Sequence, residues 1–324
     1  DVCSSDLAFG DGSQLGLELA FVTETEPLGT GGAIRNVADA LMSGADDPVV
    51  ILNGDIVSGH DLARQVREHR DGGADVTLHL VEVADARAFG CVPTDAEGRV
   101  TAFLEKMPEP ISNQINAGCY VFRRAIIDSI PAGRPVSVER ETFPGLLASG
   151  ARVTGVVDPG YWLDLGTPLA FVKGSADLVL GHAPSPAVPS TGASLVLDGA
   201  QVDGSARLSG GTTIGSGASV GADAQIEGSV VFDGASIASG AHSTGSIIGA
   251  AIGRQFGSGN DRDALNGGGG SNAATDAGGQ SSKATDEVGT RIGNAYTADA
   301  NPNTANSRMA SKLGEVKVTL GDSK

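Results

Sequence analysis

Positive charge is scarce in this chain. Lys and Arg number 22 against 39 Asp and Glu, a formal net charge of -17. A polyanionic partner requires a basic footprint, so neither nucleic acid nor a membrane surface is expected to bind. A single nucleotide is not excluded, because a metal ion can supply the missing charge. No run of 18 apolar residues occurs, so no membrane-spanning helix is expected. The first residues lack the charged-then-apolar order of a secretory leader. Cysteine is limited to Cys3, Cys91 and Cys119, which show no metal-binding spacing. An odd, sparse set points to reduced thiols and a cytoplasmic protein. The five histidines are scattered without an HExxH motif, which argues against a histidine-bound metal.

What is present is a period of six. Val196, Val202, Leu208, Ile214, Val220, Ile226 and Phe232 stand six apart, with Gly, Ala, Ser and Asp filling most of the gaps. That spacing fits neither a lone helix nor an ordinary strand. It fits a β-helix in which each flat face uses one hexapeptide, the apolar residue points inward and small residues turn the corners. Such a coil is usually a platform, so chemistry is expected upstream of it.

The 324 residues suffice for two domains. Residues 1–7 fit nothing that follows. Residues 8–181 read as a mixed α/β domain, 182–191 as a Pro-rich linker and 192–256 as the coil. From 257 to 324 the chain is polar and glycine-rich, and disorder is expected there because little apolar surface offsets chain entropy. Within the α/β domain, Ile34, Val37, Ala38 and Leu41 mark one face of a helix, and Leu62, Val66 and His69 another. The run 49–52 reads as a strand buried on both faces, and 76–83 alternates as a strand. Val92 and residues 100–104 flank an Asp-Ala-Glu-Gly turn, as in a hairpin. Residues 115–122 form a further strand and 167–180 a further helix. This alternation predicts a largely parallel sheet with helices on both faces.

In such sheets ligands bind beyond the carboxyl ends of strands. Asn53-Gly54-Asp55 directly follows the run 49–52, although the same triplet is a common turn. Leu28-Gly29-Thr30-Gly31-Gly32 runs into a helix, where glycines admit a ligand and free N–H groups attract anions; a plain strand-to-helix turn explains it equally. Glu105 and Lys106 end a strand, where an ordinary surface pair is the other reading. Asp164 lies among apolar residues beside Trp162 and ahead of Thr167-Pro168, a helix start. A carboxylate there requires a partner, either a metal or an Arg.

Seven stretches in this order resemble the sugar-1-phosphate nucleotidylyltransferases, with the mannose-1-phosphate guanylyltransferases nearest in look. They are 24–33 (ETEPLGTGGA), 52–55 (LNGD), 89–92 (FGCV), 103–106 (FLEK), 115–122 (INAGCYVF), 138–144 (VERETFP) and 162–168 (WLDLGTP). The resemblance implies an α/β, Rossmann-like nucleotidyltransferase mixed sheet followed by a left-handed hexapeptide β-helix. It further implies that Asp55 and Asp164 hold a catalytic Mg²⁺. Leu28, Gly29 and Thr30 would lie against the nucleobase, and Gly90, Glu105 and Asn116 would bind the sugar. Lys106 would meet the sugar's phosphate. The implied partners are a nucleoside triphosphate and a sugar 1-phosphate, and copies are expected to associate through the β-helix.

One element of the family pattern is missing from the sequence. The family opens with a glycine-rich loop carrying a catalytic Arg, and no GxGTR-like stretch occurs in this chain. The expectation is an N-terminally truncated copy with little or no turnover. Two other readings stand beside guanylyl transfer: thymidylyl, adenylyl or uridylyl transfer to glucose 1-phosphate, and a non-catalytic subunit that binds sugar phosphate. Acyl transfer, the other chemistry of hexapeptide coils, would rest on His242 alone.

Overall fold

A computed structural model describes residues 9–104, 108–185, 188 and 192–249. The segments 1–7 and 257–324, most of the linker and the last residues assigned to the coil lie outside them. The described chain divides into two compact units, residues 9–56 with 60–162, and residues 57–59 with 163–249.

The first unit is built on four strands, β1 (Pro48–Leu52), β3 (Val76–Glu82), β4 (Gln114–Arg123) and β5 (Val153–Val157), in the order β1-β4-β3-β5. β4 runs antiparallel to both of its neighbours, and only β3 and β5 pair in parallel. The expected largely parallel sheet is therefore corrected to a mixed one. The cause lies between β3 and β4. That connection is an excursion containing a hairpin rather than a helical crossover, with bridges Cys91↔Leu104 and Thr94↔Val100 closing around the Asp95–Gly98 turn. The chain returns in the opposite sense and inserts between β1 and β3. β1 is consequently an edge strand among the described residues. Only Val49 is buried in it, and Leu52 is 42% exposed, so the expected burial on both faces is not realised.

Helices cover both faces, as predicted. α1 (Gly29–Asn36), α3 (Arg124–Ser129) and α4 (Phe143–Ala148) lie against one face. There Val76, Leu78, Leu80, Tyr120 and Phe122 pack with Ile34, Ile127 and Phe143. Phe143 contacts Tyr120, Phe122 and Phe103 with ring centroids 4.8–6.0 Å apart. The helix predicted through Leu41 stops at Asn36, and a short 3₁₀ turn carries Ala38 into the core.

α2 (Leu62–Gly72) covers the other face, capped by Asp61, whose side chain accepts from Arg64 N. The polar positions of β3 point here rather than to water. Gln65 donates to the carbonyls of Thr77 and Cys119 (3.1 and 3.4 Å), and His69 Nδ1 meets Thr77 Oγ1 at 2.9 Å. His79 is 1% exposed and stacks on His60 at 3.9 Å. Neither of its ring nitrogens has a partner among the described residues.

A two-stranded ribbon pairs β2 (Ile56–Ser58) with β6 (Trp162–Asp164), and the second unit continues through α5 (Pro168–Leu180) into the coil. Thr167 caps α5 by accepting from Ala170 N, with Pro168 in the first turn as the sequence predicts. The coil is a parallel β-helix of about three turns, in agreement with the hexapeptide reading. One column of strands is β7 (Ser194–Val196), β10 (Thr212–Ile214), β13 (Val230–Val231) and β16 (Ile247–Ile248). A second is β8 (Gln201–Val202), β11 (Ser219–Val220) and β14 (Ser236–Ile237). The third is β9 (Arg207–Ser209), β12 (Gln225–Glu227) and β15 (His242–Thr244). Ile214, Val220 and Ile226 are buried, and a ladder of Thr212, Ser229 and Ser246 runs inside one corner.

The six-residue register ends one step earlier than the sequence suggests. Ile214 pairs with Val196, eighteen residues before it, but with Val231, seventeen after it. Val231 therefore takes the inward position assigned to Phe232, because the corner after Ile226 is one residue shorter. Phe232 turns instead toward Phe171 of α5, with ring centroids 6.2 Å apart. His242 lies in β15 opposite Gln225 and is exposed.

Two expected outcomes follow from this packing. Burial holds His69 and His79 at a pKa of about 4, against an ordinary value of 6.5. Asp75 opposes the shift at His69, and Asp158 opposes it at His79, while His60 reinforces the latter. Below pH 6.5 the unfolded chain binds these protons and the folded chain does not. Stability is therefore complete above pH 6.5 and falls toward pH 4, by about 1.4 kcal/mol per pH unit for each histidine. Urea titrations between pH 7.5 and 4.5 should show this slope, and His79→Leu should flatten it by one proton; an unchanged slope would refute the assignment. In the coil, a Cβ on Gly215 would lie 2.5 Å from Asp233 N on the next turn. Gly215→Ala should cost about 1–3 kcal/mol, measured as a lowered melting midpoint.

Candidate active site

Asn116, one of the candidate site residues, borders a bulge in β4, and the turn that carries Asp55 closes onto it. Leu78 faces Tyr120 and Leu80 faces Asn116, so Ala117-Gly118-Cys119 oppose a single residue of β3. Bulges re-aim side chains and are frequent beside active sites. Gly118 makes this one possible. Its φ is +76°, and a Cβ there would stand 2.8 Å from Asn53 Nδ2 and 3.1 Å from Ile56 Cγ1. The Gly118 carbonyl accepts from Asn53 N at 2.8 Å, and its own N–H donates to Asn116 Oδ1 at 3.2 Å. Asn53-Gly54-Asp55 is indeed a turn, linking β1 to β2. The turn reading is thus borne out, and the turn holds Asp55 half-buried near the sheet.

Asn116 donates to Tyr120 Oη (2.8 Å) and to Glu139 Oε1 (2.7 Å). Burial, reinforced by the negative charge of Glu139, pushes the Tyr120 hydroxyl pKa well up, and Asp55 adds to the effect. Asp55, Asn116, Tyr120 and Glu139 therefore share one neighbourhood. Glu139 sits in a π-helical turn, Val138–Thr142, a rare geometry that recurs at functional sites.

The glycine-rich loop docks on the segment just before that turn. Gly31 N and Gly32 N both donate to the Val136 carbonyl (2.8 and 3.3 Å), Val136 N donates to Leu28 O, and Val138 N donates to Thr30 Oγ1 at 2.9 Å. Gly29 has φ +69°, and a Cβ on it would lie 2.8 Å from Val136 O. The loop is thus pinned to protein. Two of the N–H groups at the start of α1 are spent on Val136 and not offered to a ligand.

Gly90 sits beside the exposed ring of Phe89, which meets Trp162 edge-on at 5.9 Å. Trp162 Nε1 donates to Ala117 O at 2.9 Å, and the reciprocal bonds of Cys91 and Leu104 (2.9 and 3.0 Å) tie Gly90 to the strand leading into Glu105. Glu105 and Lys106 themselves lie outside the described residues. Asp164, in the second unit, is partly exposed, and its Oδ1 accepts from Gly166 N at 2.8 Å. Among the described residues no group of three or more His, Cys, Asp or Glu is placed to hold a metal. Nor is any helix there long and apolar enough to cross a membrane.

Sequence reasoning missed Gly118, Tyr120, Val136 and Glu139. Gly118, Tyr120 and Glu139 stood inside the quoted motifs, but a two-residue strand period cannot reveal a bulge.

The chain matches the family described as "Nucleotidyl transferase" over residues 4–179, a span containing all seven motif stretches, and it belongs to that family. It is 59% identical over 202 residues to the mannose-1-phosphate guanylyltransferase of Mycobacterium tuberculosis, covering 62% of this chain and 55% of that one. It is 34% identical over 164 residues to the mannose-1-phosphate guanylyltransferase catalytic subunit beta of Drosophila pseudoobscura pseudoobscura, covering 51% and 43%. The chain thus spans about half the length of the curated relatives it matches. Among solved structures it is similar to HddC from Yersinia pseudotuberculosis, 28% identical with a TM-score of 0.41, over 47% of this chain and 64% of that one.

Gly118→Ala tests the centre of this arrangement. A left-handed backbone and a blocked Cβ should together cost about 1–3 kcal/mol, measurable by denaturant titration. Faster proteolysis at 53–56 should accompany the loss, since the turn carrying Asp55 must move.

Proposed function

We propose that this protein transfers a nucleotidyl group from a nucleoside triphosphate to a sugar 1-phosphate, with GTP and mannose 1-phosphate as the pair. The observation that carries the reading is the 59% identity over 202 residues with a mannose-1-phosphate guanylyltransferase. A phosphate oxygen of the sugar 1-phosphate attacks the α-phosphorus of the triphosphate. The bond from that phosphorus to the bridging oxygen breaks, and pyrophosphate leaves. Catalysis of this kind is mostly positioning and charge neutralisation.

The residues keep the roles that the resemblance implies. Leu28, Gly29 and Thr30 lie against the nucleobase, on a loop whose docking to Val136 and Val138 gives it a defined position. Gly90 and Glu105 take the sugar, with Asn116 beside them at the same subsite, and Lys106 takes its phosphate. Asp55 and Asp164 would be the carboxylates to hold Mg²⁺, which would supply positive charge to the phosphates. The donor chemistry fits, since Mg²⁺ is ordinarily held by one or two carboxylates together with substrate phosphates and water, not by a closed protein cage. Cytoplasmic location and association of copies through the β-helix belong to the same proposal. The free, buried Cys91 and Cys119 support the first, and the apolar Val196 and Leu197, 44% and 38% exposed on the first turn of the coil, support the second.

Calorimetric titration of the chain with sugar nucleotides tests the reading. GDP-mannose with Mg²⁺ should bind at least about tenfold more tightly than ADP-glucose, UDP-glucose or dTDP-glucose, and a chelator should weaken it. Tighter binding of a glucose nucleotide would reassign the substrate. Failure of every sugar nucleotide to bind a folded chain would overturn the proposal.

A further inference from the structure

Asn116 has no hydrogen to spare for a ligand. Its amide carries two, and they go to Tyr120 Oη and Glu139 Oε1, while Oδ1 accepts from Gly118 N. The amide orientation is fixed, because turning it over would set N–H against N–H and oxygen against a carboxylate. A sugar hydroxyl reaching this point therefore meets no donor on Asn116. It meets the Glu139 carboxylate, which is exposed and whose Oε2 has no hydrogen-bond partner among the described residues.

Glu139 is held from both ends. Its backbone follows Val138, which is 1% exposed and donates to Thr30 Oγ1. Ser137 Oγ accepts from Arg140 N and closes the turn from the other side. The carboxylate head is fixed by Asn116. An acceptor already ordered in this way loses little side-chain entropy when a hydroxyl arrives. A purely structural bond at an exposed carboxylate would add little to stability and would have no need of so committed a partner.

We infer that Glu139 is the carboxylate that accepts a hydroxyl of the sugar 1-phosphate, and that Asn116 is the positioning residue that aims it. The inference rests on the sugar-1-phosphate reading above, and it names a specificity residue within that site.

The test is calorimetric titration of the full chain with mannose 1-phosphate and with its 2-, 3-, 4- and 6-deoxy analogues, for the wild type, Glu139→Gln, Glu139→Asp and Asn116→Ala. Thermal melting confirms that each variant is folded, and the exposed position of Glu139 makes its variants tolerable. Glu139→Gln should weaken mannose 1-phosphate binding about 10- to 100-fold, the range for a hydrogen bond to a charged group. Against one deoxy analogue, the one lacking the hydroxyl that Glu139 holds, the wild type and Glu139→Gln should bind alike. Glu139→Asp, which withdraws the carboxylate by one methylene, should reproduce this selective loss. Asn116→Ala should lose less and keep the wild-type ranking of analogues, because the carboxylate remains. Equal weakening across all analogues, or none, would overturn the inference and leave the sugar-1-phosphate reading intact. If the folded wild type binds no sugar 1-phosphate at all, that reading falls and the inference falls with it.

Discussion

The first unit depends on the bulge at Gly118. A regular β4 would place a side chain where Asn53 and Ile56 must approach, and the turn after β1 could not close onto the sheet. With glycine in a left-handed conformation, one residue accepts from Asn53 and donates to Asn116. A single backbone irregularity thereby sets both the turn that carries Asp55 and the orientation of the Asn116 amide. The local cost of the broken ladder is offset by bonds that a continuous strand would not make.

The same economy appears around Val136. Its carbonyl receives two N–H groups of the glycine-rich loop, and two residues on, Val138 N reaches Thr30. The loop proposed to lie against the base and the turn bearing Glu139 are thus parts of one hydrogen-bonded body. Displacing either moves the other. Below them, Phe143 anchors the segment in the aromatic cluster of Tyr120, Phe122 and Phe103, so packing energy holds the polar layer in place.

The opposite face of the sheet is organised by polarity that never reaches water. Thr77 and His79 alternate with Val76, Leu78 and Leu80 as in a half-solvated strand, yet all five are buried. α2 supplies Gln65 and His69 to meet them. Asp158 joins this layer, accepting from Asp61 N and Gly160 N while lying close enough to His79 and His60 to act on their charge. A buried polar layer of this kind rewards one arrangement and penalises others, because each unpaired group is costly.

Much of the architecture was legible from residue order alone. The hexapeptide period specified a coil, because an inward apolar residue every sixth position leaves no other regular structure in which those residues share a core. Thr167-Pro168 announced α5, because capping chemistry is local. The site motifs were legible as strings, and the family match spans them all. What residue order did not determine was pairing. The antiparallel insertion of β4, the edge position of β1, the shortened corner that sets Val231 inward and turns Phe232 to Phe171, and the contact of Asn116 with Glu139 all join residues distant in the chain. Their cost or benefit exists only once the backbone has brought them together, so only the tertiary structure decided them.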